Sequence, residues 1–446
     1  MAARREKLTK LEKVFFTATA VSGVILLGAP LWWLSLEADP VVHIPAPPPP
    51  PKPNAADYYI SAGNAIVGTT EITYAVMEPD RPGYKSMFPV RLPNGTTIAR
   101  PFTPSEKESL LQQNAAALNL LRRGFGYRFQ APPQRSWLTL SPYPPYRQMT
   151  SLLVLEGQVK FKRGDWNGAA NSYLDAIRFG SDIARGGGAT SRRISTMCES
   201  MGQRPLWNTI NHLNAAQARA AARRLEQISA RRAPLSASLT EEKWVGQASL
   251  MEIFRGPDWR HHLVSIYGID NQTGEAAAAA WTRSWLTGKR ALMSRYSKII
   301  DASIAAARKP YAPIRSVPPA PQADLMANLT GSFRDLRFSA ARIETGSTLL
   351  AVALALRAYR LERGAYPAKI TELKPRWLKT IPLDPFAANI PLRYKRSGRQ
   401  YSLYSVGPDG KDNGGKPIVV PGRPASVRYY TADSTGDVVA GADELE

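Results

Sequence analysis

Cysteine is almost absent from this sequence, since Cys198 is the only one among 446 residues. A single cysteine excludes an intrachain disulfide and the thiolate-rich type of zinc site. Cys198 stands among apolar helical positions, which favours a packing residue over a nucleophile. A chain of this length buries a sizeable core without such cross-links, so the cysteine content suits an exported protein and a cytosolic one equally. The compartment therefore has to be inferred from the N-terminus.

Histidine is scarce too, with four residues, and the motifs of well-known catalytic sites are missing. His261 and His262 are adjacent, so on a helix their side chains point about 100° apart and do not face one metal ion. The sequence has no H-E-x-x-H zinc motif, no S-x-x-K or G-x-S-x-G nucleophile motif and no G-x-x-x-x-G-K-[ST] phosphate loop. We therefore expect a non-catalytic protein. An envelope hydrolase with a site assembled from distant residues stays open as an alternative.

Acidic residues are few relative to basic ones. The chain has 58 Lys and Arg against 36 Asp and Glu, which leaves a formal net charge of +22. This excess is spread along the whole chain and favours anionic neighbours such as phospholipid headgroups, envelope polymers or nucleic acid. It does not select among them.

The sequence has one long apolar run. Residues 14–36 carry no charge and follow a basic segment, residues 1–13. A helix over residues 14–36 is about 35 Å long, enough to cross a hydrocarbon core of roughly 30 Å. Trp32 and Trp33 at its far end are typical of the membrane interface, and the basic flank predicts a cytoplasmic N-terminus. We therefore expect a single-pass protein of the bacterial inner membrane with most of the chain outside the cytoplasm.

Two features near this run have alternative interpretations. The apolar run could be a signal peptide cleaved after Ala38, although it is longer than such regions usually are. The following segment, residues 37–56, is rich in proline. It is interpreted as a polyproline spacer that lifts a domain off the membrane, or as a ligand for a proline-binding module.

The middle of the chain, residues 57–320, has helical periodicity broken by short Gly and Pro segments, and predicts an all-α domain. Residues 105–123 begin with Ser105 and Glu108, which fit a capping box. Residues 151–184 place small and aromatic residues at the positions of a helical hairpin: Gly157, Gly164, Ala169, Tyr173 and Ala176. This hairpin resembles a tetratricopeptide unit, although one copy does not make a repeat array. Residues 125–309 resemble helical segments of uncharacterised planctomycete-type bacterial envelope proteins.

The C-terminal part, residues 325–446, changes pattern. A long apolar helix ends near Gly364, and a short helix is predicted around residues 369–378. Asp384 and Pro385 then predict a turn in which the aspartate caps backbone N–H groups. Two stretches alternate with period two around "RSGR", which predicts a β-hairpin. The loop "VGPDGKDNGG", residues 406–415, follows.

This order of landmarks resembles the globular domain of the major pseudopilins of type II secretion systems. It runs through "ERGAYP", "LKP", "PLDPF", "LRY" and "SVGPDGKDNGG". The resemblance implies a small α+β module whose last loop binds calcium. It places Asp409 and Asp412 at acidic positions of that loop, and either Asp433 or Asp437 at a later one. Asn413 is added as an oxygen donor on chemical grounds.

The resemblance has limits, because the chain lacks a pilin processing site and its apolar run is far from the pilin-like helix. The expected function is a membrane-anchored scaffold or adaptor that contacts other envelope proteins. A second expectation is an accessory component of a type II secretion or DNA-uptake-like machine, which binds a polyanion through its basic surface.

Overall fold

The computed structural model describes residues 32–77, 90–91, 97–98, 100–136, 145–266, 287–312, 327–388, 390–419 and 430–440. The described chain is mainly helical, with a two-stranded ladder in the middle and a three-stranded antiparallel sheet near the C-terminus. This confirms the prediction of a mainly α protein with β structure at its C-terminal end.

The named helices are α1 Ala55–Asn64, α2 Thr69–Met77, α3 Pro104–Gln113, α4 Ala115–Gly124, α5 Tyr146–Lys162, α6 Trp166–Asp182, α7 Ala189–Thr209, α8 Ala215–Arg231, α9 Leu235–Phe254, α10 Trp259–Ile266, α11 Lys289–Ala307 and α12 Ala327–Arg363. Short 3-10 turns cover Ile210–His212 and Ile370–Leu373. The strands are β1 Val90–Arg91, β2 Thr97–Ile98, β3 Arg393–Ser397, β4 Gln400–Ser405 and β5 Val438–Val439.

Helices α5 and α6 form the hairpin expected over residues 151–184. Gly164 makes the turn with φ +79, a value that favours glycine, and Asp165 caps α6 by accepting from the Gly168 backbone N–H at 2.8 Å. Gly157 faces the ring of Tyr173, and a Cβ atom built there would lie 2.2 Å from Tyr173 Cε1. The small residue therefore lets the two helices approach closely.

The capping box of α3 lies two residues earlier than expected. Thr103, not Ser105, is the N-cap, and its hydroxyl accepts from the Glu106 backbone N–H at 3.3 Å. Glu106 completes the box by accepting from the Thr103 backbone N–H at 2.7 Å. The helix expected over residues 105–123 is also divided in two at Asn114.

One core joins the helical middle to the C-terminal part. The long helix α12 packs on α7 and α8, and its residues Leu349–Leu356 are buried on every side. They belong to the same apolar cluster as α5 and α6. Gln203 of α7 adds a polar link, since its amide donates to the Ile343 carbonyl oxygen at 2.9 Å and to Ser347 Oγ at 2.8 Å.

A second apolar cluster lies between α9 and α11. Tyr296 of α11 is fully buried there, and its hydroxyl donates to the Glu242 carbonyl oxygen at 2.8 Å. Its ring approaches Gly246, where an added Cβ would lie 2.0 Å from the Tyr296 hydroxyl oxygen. Phe333 and Leu336 of α12 complete this cluster, so α12 contributes to both cores.

The C-terminal sheet has the order β3-β4-β5. Strands β3 and β4 form the expected hairpin, with Ser397 paired to Gln400 next to the turn. Asp384 caps its turn as expected, because its Oδ1 accepts from the Phe386 backbone N–H at 3.0 Å. The short helix expected around residues 369–378 is only the 3-10 turn Ile370–Leu373.

Within the described residues, no helix is both long enough and apolar enough to cross a membrane. Residues 14–31 of the predicted anchor lie outside the described part of the chain, as does the basic segment 1–13. Residues 32–37 are helical.

Candidate functional site

The loop after β4 has the backbone shape that its glycines predict. Gly407, Gly410, Gly414 and Gly415 all have positive φ. Gly407 is also pressed against the chain that enters β5, where an added Cβ would lie 2.2 Å from the Gly436 carbonyl oxygen. Glycine is therefore required at residue 407 for its conformation and for the close approach of two backbones.

Asp412, one of the predicted calcium ligands, faces strand β3. Its Oδ2 accepts from Arg393 Nε at 2.8 Å, and its Oδ1 accepts from the Tyr404 hydroxyl at 3.0 Å and the Gly414 backbone N–H at 3.0 Å. The hydrogen bond from Arg393 holds the pKa of Asp412 below its ordinary value. Both carboxylate oxygens are thus engaged by protein donors.

Asp409 and Asn413, the other two predicted ligands, contact each other. Asp409 Oδ2 accepts from Asn413 Nδ2 at 3.5 Å and from the Gly436 backbone N–H at 3.3 Å. Its other oxygen accepts from the Lys411 backbone N–H at 3.1 Å. This pair points toward the β5 side of the loop.

Asp437 joins the loop from the start of β5, whereas Asp433, the other position considered, is exposed. Asp437 is fully buried, and its carboxylate accepts from the backbone N–H groups of Asn413 at 3.2 Å and Gly415 at 2.6 Å. Calcium prefers six to eight oxygen ligands. Among the described residues, no group of three or more His, Cys, Asp or Glu is placed to hold a metal ion. The calcium site stays a prediction.

A groove of about 340 Å³ lies between the helical middle and the C-terminal sheet. It is lined by Trp207, Ile210, Asn211, Ala353, Arg360, Tyr366, Arg399, Gln400, Tyr401 and Ala440. The lining combines apolar and aromatic surface with two arginines, and among the described residues it contains no Asp or Glu. No pattern in the sequence marks it, because its residues come from segments more than 200 positions apart.

The two arginines of the groove are exposed. The Arg360 guanidinium lies 5.0 Å from the centre of the Tyr366 ring and donates to the Tyr366 hydroxyl at 3.1 Å. The Tyr366 ring packs edge-on against Tyr401, with ring centroids 4.7 Å apart. Within the described part of the chain, neither Arg360 nor Arg399 forms an ion pair with a carboxylate. The groove is therefore electropositive.

The segment just after the predicted anchor is held against the helical domain. Glu37 accepts from the Trp259 indole N–H at 2.9 Å and also pairs with Arg260 of α10. Lys289 Nζ lies 3.0 Å from Asp39 Oδ1. Burial alone would raise the pKa of Glu37, but the hydrogen bonds from Arg260 and Trp259 outweigh it and lower the pKa.

The two predicted interface tryptophans lie beside these contacts. Trp32 and Trp33 are 49% and 39% exposed, and the Arg260 guanidinium lies 5.1 Å from the centre of a Trp33 ring. Leu36 is buried against Gly288, where an added Cβ would lie 2.9 Å from Leu36 Cα. We call residues 32–39 and their partners on α10 and α11 the Glu37 cluster.

The proline-rich segment differs from the free spacer that its composition suggests. Arg135 Nη1 donates to the Pro45 carbonyl oxygen at 3.0 Å. At the far end Asn54 caps α1, and its amide donates to the Gln130 carbonyl oxygen at 2.9 Å. The segment is thus attached to the folded domain at Pro45 and at Asn54.

Several deeply buried charges form a separate cluster between α7, α8 and α12. Glu199 pairs with Arg232, whose Nη2 also donates to Ser347 Oγ at 3.1 Å. Arg192 donates to the Ala233 carbonyl oxygen at 2.5 Å. Burial raises the pKa of Glu344, which faces the charges of Arg232 and Arg192. These charged groups link α7, α8 and α12, and their role is structural.

Cys198 lies beside this cluster in the core. It is fully buried, and burial raises the pKa of its thiol to about 12. A thiol with so high a pKa is not a nucleophile at neutral pH. The interpretation of Cys198 as a packing residue is confirmed.

Comparisons of the chain with protein-family models, curated proteins and solved structures found no match.

Proposed function

We propose that this chain is a membrane-anchored scaffold on the extracytoplasmic side of the bacterial inner membrane. Its helical domain and pseudopilin-like C-terminal module would contact other envelope proteins. The observation that carries the proposal is the Glu37 cluster, in which Glu37 and Asp39 bind the folded domain directly after the predicted anchor.

Electrostatics explains why residues 37–39 stay attached to the folded domain. The side chains of Arg260 and Lys289 are only 10% exposed. Charges removed from water to that extent are costly unless they are paired, and Glu37 and Asp39 supply the opposite charges. Detaching residues 37–39 would leave two mostly buried cations without these partners. This attachment would hold the domain at a fixed orientation to the anchor. A fixed orientation suits a scaffold better than a flexible linker does.

Carbonate extraction of membranes from cells that make the full chain tests the anchor. The double variant Val24→Arg, Leu26→Arg places two charges in the middle of the predicted span and is expected to leave the carbonate-resistant membrane fraction. Val41→Arg is the matched control, since Val41 is 99% exposed outside the span, and it should stay in the membrane. Release of the wild-type chain by carbonate would contradict the anchor.

Thiol labelling in spheroplasts tests the orientation. Lys309→Cys adds an exposed thiol at the end of α11, while the native Cys198 is buried and stays silent. A membrane-impermeant maleimide should label this variant without permeabilisation. Labelling only after detergent would place the domain in the cytoplasm instead. Mass spectrometry that finds a chain beginning at residue 39 would show cleavage after Ala38.

A second candidate function is an accessory role in a secretion or DNA-uptake-like machine that binds a polyanion. Two exposed arginines, Arg360 and Arg399, favour it because no carboxylate of the described chain lines their groove. Polyanion binding weakens as salt is added, and this dependence distinguishes it from a scaffold that binds through apolar contacts.

A further inference from the structure

The groove between the helical middle and the C-terminal sheet has a definite chemical preference. Arg360 and Arg399 are exposed cations, and the remaining lining includes Trp207, Ile210 and the paired rings of Tyr366 and Tyr401. Exposed arginines recognise carboxylates through two parallel hydrogen bonds, and aromatic rings accept an aliphatic side chain. The matching ligand is therefore an extended acidic segment with at least one apolar residue.

The chain itself carries such a segment beside the groove. Ala440 lines the groove and is fixed to the sheet, because its backbone N–H donates to the Leu403 carbonyl oxygen at 2.8 Å. The next six residues read Gly-Ala-Asp-Glu-Leu-Glu and contain Asp443, Glu444, Leu445 and Glu446. Extended, they reach about 20 Å from Ala440, enough to pass along a groove of this size.

We propose that residues 441–446 bind in this groove, with their carboxylates toward Arg360 and Arg399 and Leu445 toward the aromatic rings. A partner protein that uses the groove must then present an acidic segment of its own and displace this one. The inference goes beyond the proposed scaffold function and does not depend on the anchor.

Because residues 441–446 are covalently attached next to the groove, weak contacts are sufficient for them to bind. A short linker places a segment at an effective concentration of the order of 1 mM near its site. A free peptide of the same sequence with a dissociation constant of about 1 mM would then correspond to a segment bound about half of the time. Because its ionic contacts are exposed, occupancy should fall as salt is added.

Disulfide trapping in the full chain tests the proposal. The double variant Gln400→Cys, Leu445→Cys places one thiol on the groove and one in the segment, and buried Cys198 does not compete. Mild oxidation should form an intramolecular disulfide rapidly. The control pair Arg308→Cys, Leu445→Cys puts the first thiol at an exposed site on α11 and should react at least about fivefold more slowly.

Charge reversal and salt give two independent readouts. Adding Arg360→Glu and Arg399→Glu to the trapping pair should slow the disulfide by about fivefold or more, while adding Arg308→Glu and Lys309→Glu should leave it unchanged. In the trapping pair with native arginines, 1 M NaCl should bring the rate close to that of the control pair. A synthetic Gly-Ala-Asp-Glu-Leu-Glu peptide should compete, and its Asn/Gln analogue should not.

Two results would overturn the inference. One is a trapping rate no faster than the control pair. The other is a fast rate that neither salt nor the acidic peptide changes, which would show proximity without ionic recognition. The salt and peptide arms do not substitute the arginines, so they decide the question even if the charge-reversed variant misfolds.

Discussion

Glu199 and Arg232 form a buried ion pair where the helices α7, α8 and α12 meet. The side chains of Glu199 and Arg232 are 1% and 8% exposed. Glu199→Ala would leave the Arg232 charge buried and without this partner, so we expect a loss of about 3–5 kcal/mol in the free energy of unfolding. Urea unfolding of the full chain in detergent, followed by circular dichroism, measures this loss.

A surface ion pair provides the control. Lys243 Nζ lies 2.8 Å from Asp301, whose side chain is 54% exposed. Asp301→Ala should cost no more than about 1 kcal/mol. The double variant Glu199→Met, Arg232→Met should recover much of the stability lost in Glu199→Ala, because it removes both charges. Equal losses for Glu199→Ala and Asp301→Ala would refute the structural role of the buried pair.

Residues such as these could not be predicted from the sequence. Glu199 and Arg232 lie in separate segments, and nothing in either segment indicates that they meet. Cys198 was easier, since it stands among apolar helical positions and its burial follows from that pattern. Trp32 and Trp33 were predicted as interface residues from their position at the end of an apolar run, but the contact of Trp33 with Arg260 depends on a helix more than 200 residues later.

At the scale of elements, the start of α3 shows how a correct rule can select the wrong residue. Both Thr103-Pro-Ser-Glu106 and Ser105-Glu-Lys-Glu108 satisfy the capping-box pattern. Pro104 decides between them, because proline suits the first turn of a helix. Glu108 instead pairs with Arg163 of α5, with 3.0 Å between Nε and Oε1. The pattern predicted that a helix begins here, and Pro104 determined at which residue.

This capping box predicts a dependence on pH. The hydrogen bond from Arg100, supported by those from Thr103, lowers the pKa of Glu106 to about 2. A carboxyl whose pKa is depressed in the folded state stabilises the fold above its unfolded pKa of about 4.5 and loses that contribution as the pH falls toward 2. The Arg100 side chain is more than half exposed, so the effect should be small.

Glu106→Gln isolates the charge, since glutamine can still accept the Thr103 hydrogen bond. The denaturation midpoint of the variant should lie below that of the wild type at pH 7, and the difference should shrink between pH 4.5 and pH 3. A difference that stays constant down to pH 3 would show that the ion pair with Arg100 contributes nothing. Asp301→Asn, which removes an exposed pair elsewhere, is the control.

The loop after β4 is the second element with a direct test. If calcium binds there, adding Ca²⁺ should raise the melting temperature of the full chain, and a chelator should reverse the shift. Asp409→Asn should abolish the shift, because Asp409 lies on the β5 side of the loop with Asn413 and near Asp437. Asp301→Asn should leave it intact. An unchanged melting temperature with and without Ca²⁺ would rule out the metal.

For the whole molecule, the sequence predicted the helical class well but suggested more separation between parts than exists. The C-terminal hairpin and helix α12 could be predicted from local sequence, because the hairpin has strong turn residues and α12 has a periodic apolar pattern. The shared core was not, although Leu349–Leu356 offered one signal, since a helix that is apolar all round must be covered on all sides. Its covering surface comes from α7 and α8, which period and composition alone do not identify.

The net charge of +22 leads to the last prediction. Several half-buried arginines are paired with acids, as Arg122 is with Glu156 and Arg224 is with Asp175. Lys and Arg are rarely buried unless they are paired, so we expect the unbalanced positive charge to lie mainly on the surface. If the polyanion function is correct, affinity for an anionic polymer such as heparin should fall about tenfold or more between 50 and 200 mM salt, because binding releases condensed counterions.

The slope of that dependence identifies the surface involved. Charge reversal of Arg360 and Arg399 should reduce the slope by about two contacts if the groove binds the polymer, and should leave it nearly unchanged if the charge acts diffusely. Arg308→Glu with Lys309→Glu is the matched control of equal charge change. An affinity that changes less than about twofold over this range of salt would reject the polyanion function. Binding of a protein partner that is insensitive to the same salt range would then favour the scaffold.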